Sequence, residues 1–189
     1  MPLAETFGAF GAAQAAGLIG AYGVSNFDAL RLANALEAGA PRAVQNSYSL
    51  LARQDEPDLL PLCASRGVAY LAFSPLAGGW LSGKYRRGAP YPAGSRMTQR
   101  PGPYASLVTG TTFDALDRLQ AIAADRGTSL AGLALGWLLA GERVAQVVIG
   151  PGRPEHLSPV VEALRQPVTG AERAGIQAAV AGLPGRAEQ

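Results

Sequence analysis

Short apolar runs alternate with longer stretches of helical spacing along almost the whole chain. The plainest run is residues 68–73, Val68-Ala69-Tyr70-Leu71-Ala72-Phe73, six apolar side chains without a charge. A run of that length predicts a strand buried on both faces, as in a parallel sheet covered by helices. Ser74-Pro75 stops it, and Gly78-Gly79 then allows a tight bend or a close approach to a ligand. Before this strand, Phe7, Phe10 and Ala13-Gln14 give residues 3–16 a helical pattern that Gly17 ends. Residues 18–24 read as a strand closed by Ser25-Asn26, and residues 28–38 as a helix with Leu30, Ala33 and Leu36 on one face. Residues 43–46 form a short strand leading into Ser47-Tyr48-Ser49. Residues 56–65 form a helix whose first turn tolerates Pro57.

Past the central strand, a Gly- and Pro-rich segment runs from Pro75 to about Gly110, a length that in compact domains is usually functional or disordered. Helices follow over 112–126 and 130–140, the second capped by Thr128 or Ser129, then a strand over 145–149 broken by Gly150-Pro151-Gly152. A helix over 154–164 opens with Pro154, and a last one runs from Thr169 to about Val180. Strict strand–helix alternation implies an α/β domain with parallel strands and right-handed crossovers. Two architectures fit: a small doubly wound sheet, or a segment of a (β/α) barrel. No G-x-G-x-x-G sits between a strand and a helix, as a Rossmann unit requires. Polar residues instead close successive strands: Ser25-Asn26, Gln45, Ser74 and then Gly150. A barrel places its ligand groups at those ends.

Composition narrows the class. The 189 residues are 48% hydrophobic and 16% charged, enough for a real core in one domain. Net charge is +2 with both signs interspersed, which gives no electrostatic case for nucleic acid or an anionic membrane. A single cysteine, Cys63, rules out an intrachain disulfide. The start lacks a signal-peptide pattern and the longest apolar run, residues 130–140, is too short for a bilayer, so a cytoplasmic location is expected.

The strand ends taken together carry a family likeness. GVSNF at 23–27, VQNSYSLL at 44–51, AFSPLAGGWLSGKY at 72–85, GSR at 94–96 and IGPGRPEHL at 149–157 resemble, in order and spacing, the aldo/keto reductases. The likeness is to strands five to eight, the C-terminal half of a (β/α)8 TIM barrel. It implies an NADP(H) site. Ser25, Asn26 and Gln45 would hold the nicotinamide carboxamide, which needs both donors and acceptors. Phe73 would stack on the nicotinamide ring. Ser74, Pro75, Leu76, Ala77 and Gly78 would wrap the pyrophosphate, largely through backbone N–H groups, with Gly150 and Gly152 at the last strand end. Lys84 would contact phosphate, and Arg96 and Arg153 would lie near the adenosine phosphate, where the guanidinium fork suits a dianion. His156 takes a place on the family's last cofactor helix.

Each of these residues also has a plainer role open to it. Asn26 could be a turn or N-cap residue, Gln45 an interior residue satisfying backbone groups, Phe73 core, and the two arginines and His156 solvated surface groups. The chain also departs from the family pattern. His156, Pro159 and Val160 stand where the family usually has Gln or Arg, an acid and Asn, so two polar contacts to the adenosine end are lost. The family's catalytic Asp, Tyr, Lys and His belong to its first four strands, and here the one lysine and one histidine fall at cofactor-side positions. The expectation is a chain that starts about halfway through the barrel and meets a small-molecule carbonyl substrate only if the other half is supplied. Its open strand edges should drive self-association or pairing with a complementary half-barrel. A non-catalytic nucleotide-binding or interaction module, or an inactive remnant of a truncated gene, are the alternatives.

Overall fold

The computed structural model describes residues 2–183. Helix α1, Leu3–Ala15, precedes strand β1, Gly23–Ser25, and helix α2, Ala29–Ala38. Strand β2, Ala43–Ser47, leads through turns to helix α3, Leu59–Arg66, and strand β3, Ala69–Phe73. A short helix α4, Arg96–Gln99, precedes α5, Gly110–Asp125, and α6, Leu130–Leu139. Strand β4, Gln146–Val147, helix α7, Ser158–Arg165, and helix α8, Gly170–Ala178, complete the order.

All four strands are parallel and lie in chain order, β1-β2-β3-β4. A doubly wound sheet reverses its strand order partway, so the unbroken order excludes it. Right-handed crossovers then carry every connecting helix to the same side. Burial along the strands shows this. In β2 and β3, Val44, Asn46, Tyr70 and Ala72 are buried, while Ala43, Gln45, Ser47, Ala69, Leu71 and Phe73 alternate with them half-exposed. Register sets Ser25 beside Gln45, Gln45 beside Leu71, and Leu71 beside Gln146. One face of the sheet is therefore packed under helices, and the other is a shallow face of mixed polarity. The expectation of a central strand covered on both faces is corrected accordingly.

Several boundaries also differ from those expected. Residues 18–22 are not strand, because the ladder pairs only residues 23–25 with 43–45, although the Tyr22 carbonyl accepts the Arg42 N–H just before it. Leu18 is 78% exposed. The last strand shortens to two residues paired with Leu71 and Ala72, although Ala145 and Val148 donate to Tyr70 and Ala72 carbonyls on either side. The helix expected over 154–164 begins as a 3-10 turn at Pro154–Leu157 before α7. The long glycine-rich segment folds into two 3-10 turns, Ala77–Ser82 and Gly102–Leu107, with α4 between them.

Helix α6 shows why an apolar stretch too short for a membrane can lack amphipathicity. Residues 130–138 are all buried, because α5 and α7 flank the helix beside the sheet. Ser129 caps it by accepting from the Gly132 N–H, and α7 answers with Glu162. That carboxylate accepts from the Ser129 N–H at 2.9 Å, the Ser129 hydroxyl at 2.6 Å and the Thr128 hydroxyl at 3.1 Å. An anion at a helix N-terminus also meets the positive end of its dipole. Among the described residues no helix is long and apolar enough to cross a membrane.

Candidate functional site

At the C-terminal ends of the strands the backbone turns sharply. Asn26, directly after β1, has φ 59°, and Ser74, directly after β3, has φ 54°. Ala77 at φ 47° and Gly78, Gly79 and Gly83 continue the left-handed sequence. Non-glycine residues in this region carry strain of order 1–3 kcal/mol, and such strain concentrates at ligand sites. Two of them here, Asn26 and Ser74, line a single opening.

That opening is a cleft of about 1300 Å³. Its wall gathers Asn26, Phe73, Ser74, Pro75, Leu76, Gly78, Lys84, Arg96, Gly150, Gly152 and His156 from the set expected on sequence. Glycine is required at two of the turns. A Cβ on Gly78 would lie 2.3 Å from the Tyr104 ring, and one on Gly79 would lie 2.6 Å from Lys84 Nζ. The Lys84 side chain thus lies directly along the glycine turn, and the Tyr104 ring covers its neighbour.

Four expected residues fall outside the wall. Ser25 and Gln45 sit side by side on the half-exposed face of the sheet, and the Gln45 carbonyl accepts both the Ser25 hydroxyl at 3.0 Å and the Asn26 N–H at 3.1 Å. The pair adjoins the cleft through Asn26. Ala77 is 3% exposed, and its N–H donates to the Ser74 carbonyl, closing the turn. Arg153 precedes the 3-10 turn and projects from the surface. His156 has a local task besides lining the cleft: its Nδ1 accepts from the Gly152 N–H at 3.1 Å. Pro159 and Val160 share this wall, so it is apolar where the family likeness expects polar contacts.

The cleft also recruits residues that sequence reasoning passed over. Arg100 lies one helical turn from Arg96, and the i, i+4 spacing was the available signal. Arg31 comes from α2, Asn46 from β2, and Gln54 and Asp55 from the segment after β2. Asp55 is 7% exposed, and Oδ2 accepts from Asn46 Nδ2 at 2.8 Å and the Tyr70 hydroxyl at 2.6 Å. Nothing local in the sequence marks it, since only folding brings residues 46, 55 and 70 together.

Two buried tyrosines bear on proton transfer. Burial, reinforced by the Asp55 charge and hydrogen bond, pushes the Tyr70 hydroxyl far above its ordinary value. Burial and Glu56, whose carboxylate accepts from Tyr48 at 2.9 Å, do the same to Tyr48, with Arg173 opposing. Protonating a carbonyl at neutral pH calls for a lowered tyrosine pKa. Neither hydroxyl suits that task. Among the described residues no group of three or more His, Cys, Asp or Glu could hold a metal ion.

The sequence model of the Aldo/keto reductase family matches residues 1–181. The chain belongs to this family. Among curated aldo/keto reductase relatives, the L-glyceraldehyde 3-phosphate reductase of Escherichia coli (strain K12) is 41% identical over 125 residues, covering 64% of this chain and 36% of that protein. The NADH-specific methylglyoxal reductase of the same strain is 31% identical over 163 residues, 86% of this chain and 49% of that protein. The chain thus spans half or less of the length of these relatives. In structure it is similar to a thermostable aldo-keto reductase solved with the inhibitor epalrestat, with a TM-score of 0.71 and 26% identity over 95% of this chain and 55% of that one. The four-stranded parallel sheet is accordingly of the aldo/keto reductase barrel type.

Proposed function

We propose that this chain carries the NADP(H)-binding side of an aldo/keto reductase site for carbonyl reduction, corresponding to the C-terminal half of the barrel. The observation that carries the proposal is the single cleft lined by Asn26, Phe73, Ser74 to Leu76, Gly78, Lys84 and Arg96, at the strand ends where the backbone is strained. The residues present fit a dinucleotide phosphate. Positive φ at Gly78 and Gly79 keeps side chains off the turn, and Lys84 lies along it. Asn26 with Ser25 and Gln45 supplies the carboxamide contacts, Phe73 the ring stack, and Arg96 and Arg100 the charge for an adenosine phosphate. The preference for NADP(H) over NAD(H) rests on those arginines, since one relative is by its name NADH-specific.

When bound, the cofactor supplies the hydride. The chain's own residues hold and orient it at the C-terminal strand ends, where the substrate would meet it. In this proposal the carbonyl's proton donor and the rest of the substrate pocket come from complementary barrel strands, paired along the edges at β1 and β4. Support comes from the uncovered sheet face and from the raised pKa values of Tyr48 and Tyr70.

Titration calorimetry with NADPH and NADH tests the binding half. NADPH should bind, more tightly than NADH, and Lys84→Ala or Arg96→Ala should weaken it about tenfold, as loss of a charged hydrogen bond does. No heat with either nucleotide would refute the proposal. Ketone reduction should require addition of a polypeptide carrying the family's first four strands, and steady turnover by this chain alone would refute that part.

A further inference from the structure

Asp55 is a buried carboxylate at the cleft wall with no place in the cofactor contacts above. Its Oδ2 is a junction. It accepts from Asn46 on β2 and from the Tyr70 hydroxyl on β3. Asn46 Nδ2 spends its second proton on the Phe27 carbonyl at 2.9 Å, in the segment directly after β1. The reversed amide would set an oxygen against two acceptors, so this orientation is the one the network permits. The carboxylate therefore ties the end of β2 to β3, and through Asn46 the link reaches the segment after β1. Each tie is adjacent or close in sequence to a residue of the cleft: Phe27 follows Asn26, Asn46 follows Gln45, and Tyr70 lies three residues before Phe73.

We infer that Asp55 is a positioning residue for the nicotinamide end of the bound cofactor: by linking Tyr70 to Asn46, which itself holds Phe27, it fixes Asn26, Gln45 and Phe73 relative to one another. This rests on the proposed NADP(H) site. A carboxylate suits the task because one ionised oxygen accepts two short bonds, each stronger than a neutral pair would give. Burial makes it rigid as well, since water does not compete for Oδ2. Lys84, Arg96 and the glycine turn do not depend on it, being held from the segment after β3.

The inference predicts a split along the length of the cofactor. Affinities of the Asp55→Asn and Tyr70→Phe variants are measured for NADPH and for 2′-phospho-ADP-ribose, which lacks the nicotinamide. NADPH should weaken about tenfold in Asp55→Asn and less in Tyr70→Phe, while the fragment changes less than about twofold in both. A merely structural role would weaken both ligands together, and that result overturns the inference, as does unchanged NADPH affinity. Should Asp55→Asn fail to fold by circular dichroism, Tyr70→Phe, which keeps the carboxylate and the Asn46 bond, decides the split by itself. Failure of the unaltered chain to bind NADPH overturns the proposed site and this inference with it. Binding by the unaltered chain with no split in the variants overturns this inference alone.

Discussion

Replacing Gly78 with alanine perturbs the cleft at its tightest point. Gly78 has φ 65°, a conformation that costs an L-residue about 1–2 kcal/mol. The added Cβ would also lie 2.3 Å from Tyr104 Cζ and 2.5 and 2.7 Å from two further ring carbons. The ring is partly buried against the core, so it must shift as a body. Overpacking of that kind costs about 1–3 kcal/mol. Together the two effects predict a loss of roughly 3 kcal/mol, which for a domain of this size lowers Tm by about 6–12 °C. Thermal and urea unfolding, followed by circular dichroism, measure it. Gly8→Ala is the matched control. Gly8 lies inside α1, a Cβ there meets nothing within 4 Å, and the substitution should stabilise by about 0.5–1 kcal/mol. A Gly78→Ala chain melting within about a degree of the parent would refute the reasoning, because neither the backbone cost nor the clash could then be real.

Further outcomes follow from other contacts. The Ser129 hydroxyl and N–H and the Thr128 hydroxyl hold the Glu162 carboxyl below its ordinary value against some opposing burial. A lowered folded pKa contributes stability above the unfolded value that is lost as pH falls through the folded one. Glu162→Gln should therefore cost about 1 kcal/mol at neutral pH, with the gap closing below about pH 4; a gap constant down to pH 3 in denaturant titrations would count against it. The Arg173 guanidinium lies 4.5 Å from the Trp137 ring centroid and donates to the Trp137 carbonyl and the Tyr48 hydroxyl. Arg173→Ala should lose about 1–3 kcal/mol in urea unfolding, more than Arg31→Ala at its exposed ion pair with Asp28. Burial first, and the Asp55 charge second, push the Cys63 thiol up to about 11. A thiol-reactive dye should label it slowly at pH 8 and rapidly in denaturant, and fast native labelling would contradict the buried placement.

The alternation of strand and helix was legible because it depends on local periodicity and on punctuation by Gly, Pro and capping residues. Ser129 caps its helix as expected and Thr169 caps the last one, whereas Asp28 and Thr109 are caps that the structure adds. Strand limits were less legible at the edges, where β1 and β4 exist only as far as a single neighbour pairs with them. The motifs GVSNF, VQNSY and AFSPLAGG marked the strand ends, and the structure brings most of their polar residues to one cleft. Arg153 and Ala77 show the limit of that method, since a motif fixes which residue is present and the turn fixes which way it faces.

By itself, then, the sequence determined the main element order and the parallel arrangement, which follow from spacing along the chain, and its motifs carried the family resemblance. Tertiary structure alone decided which sheet face is covered, that burial raises the Tyr48 and Tyr70 hydroxyls, and that Asp55 joins β2 to β3. Those properties arise from groups far apart in sequence entering a common environment of low water content, where burial and neighbouring charge shift a pKa and a single oxygen can serve two strands.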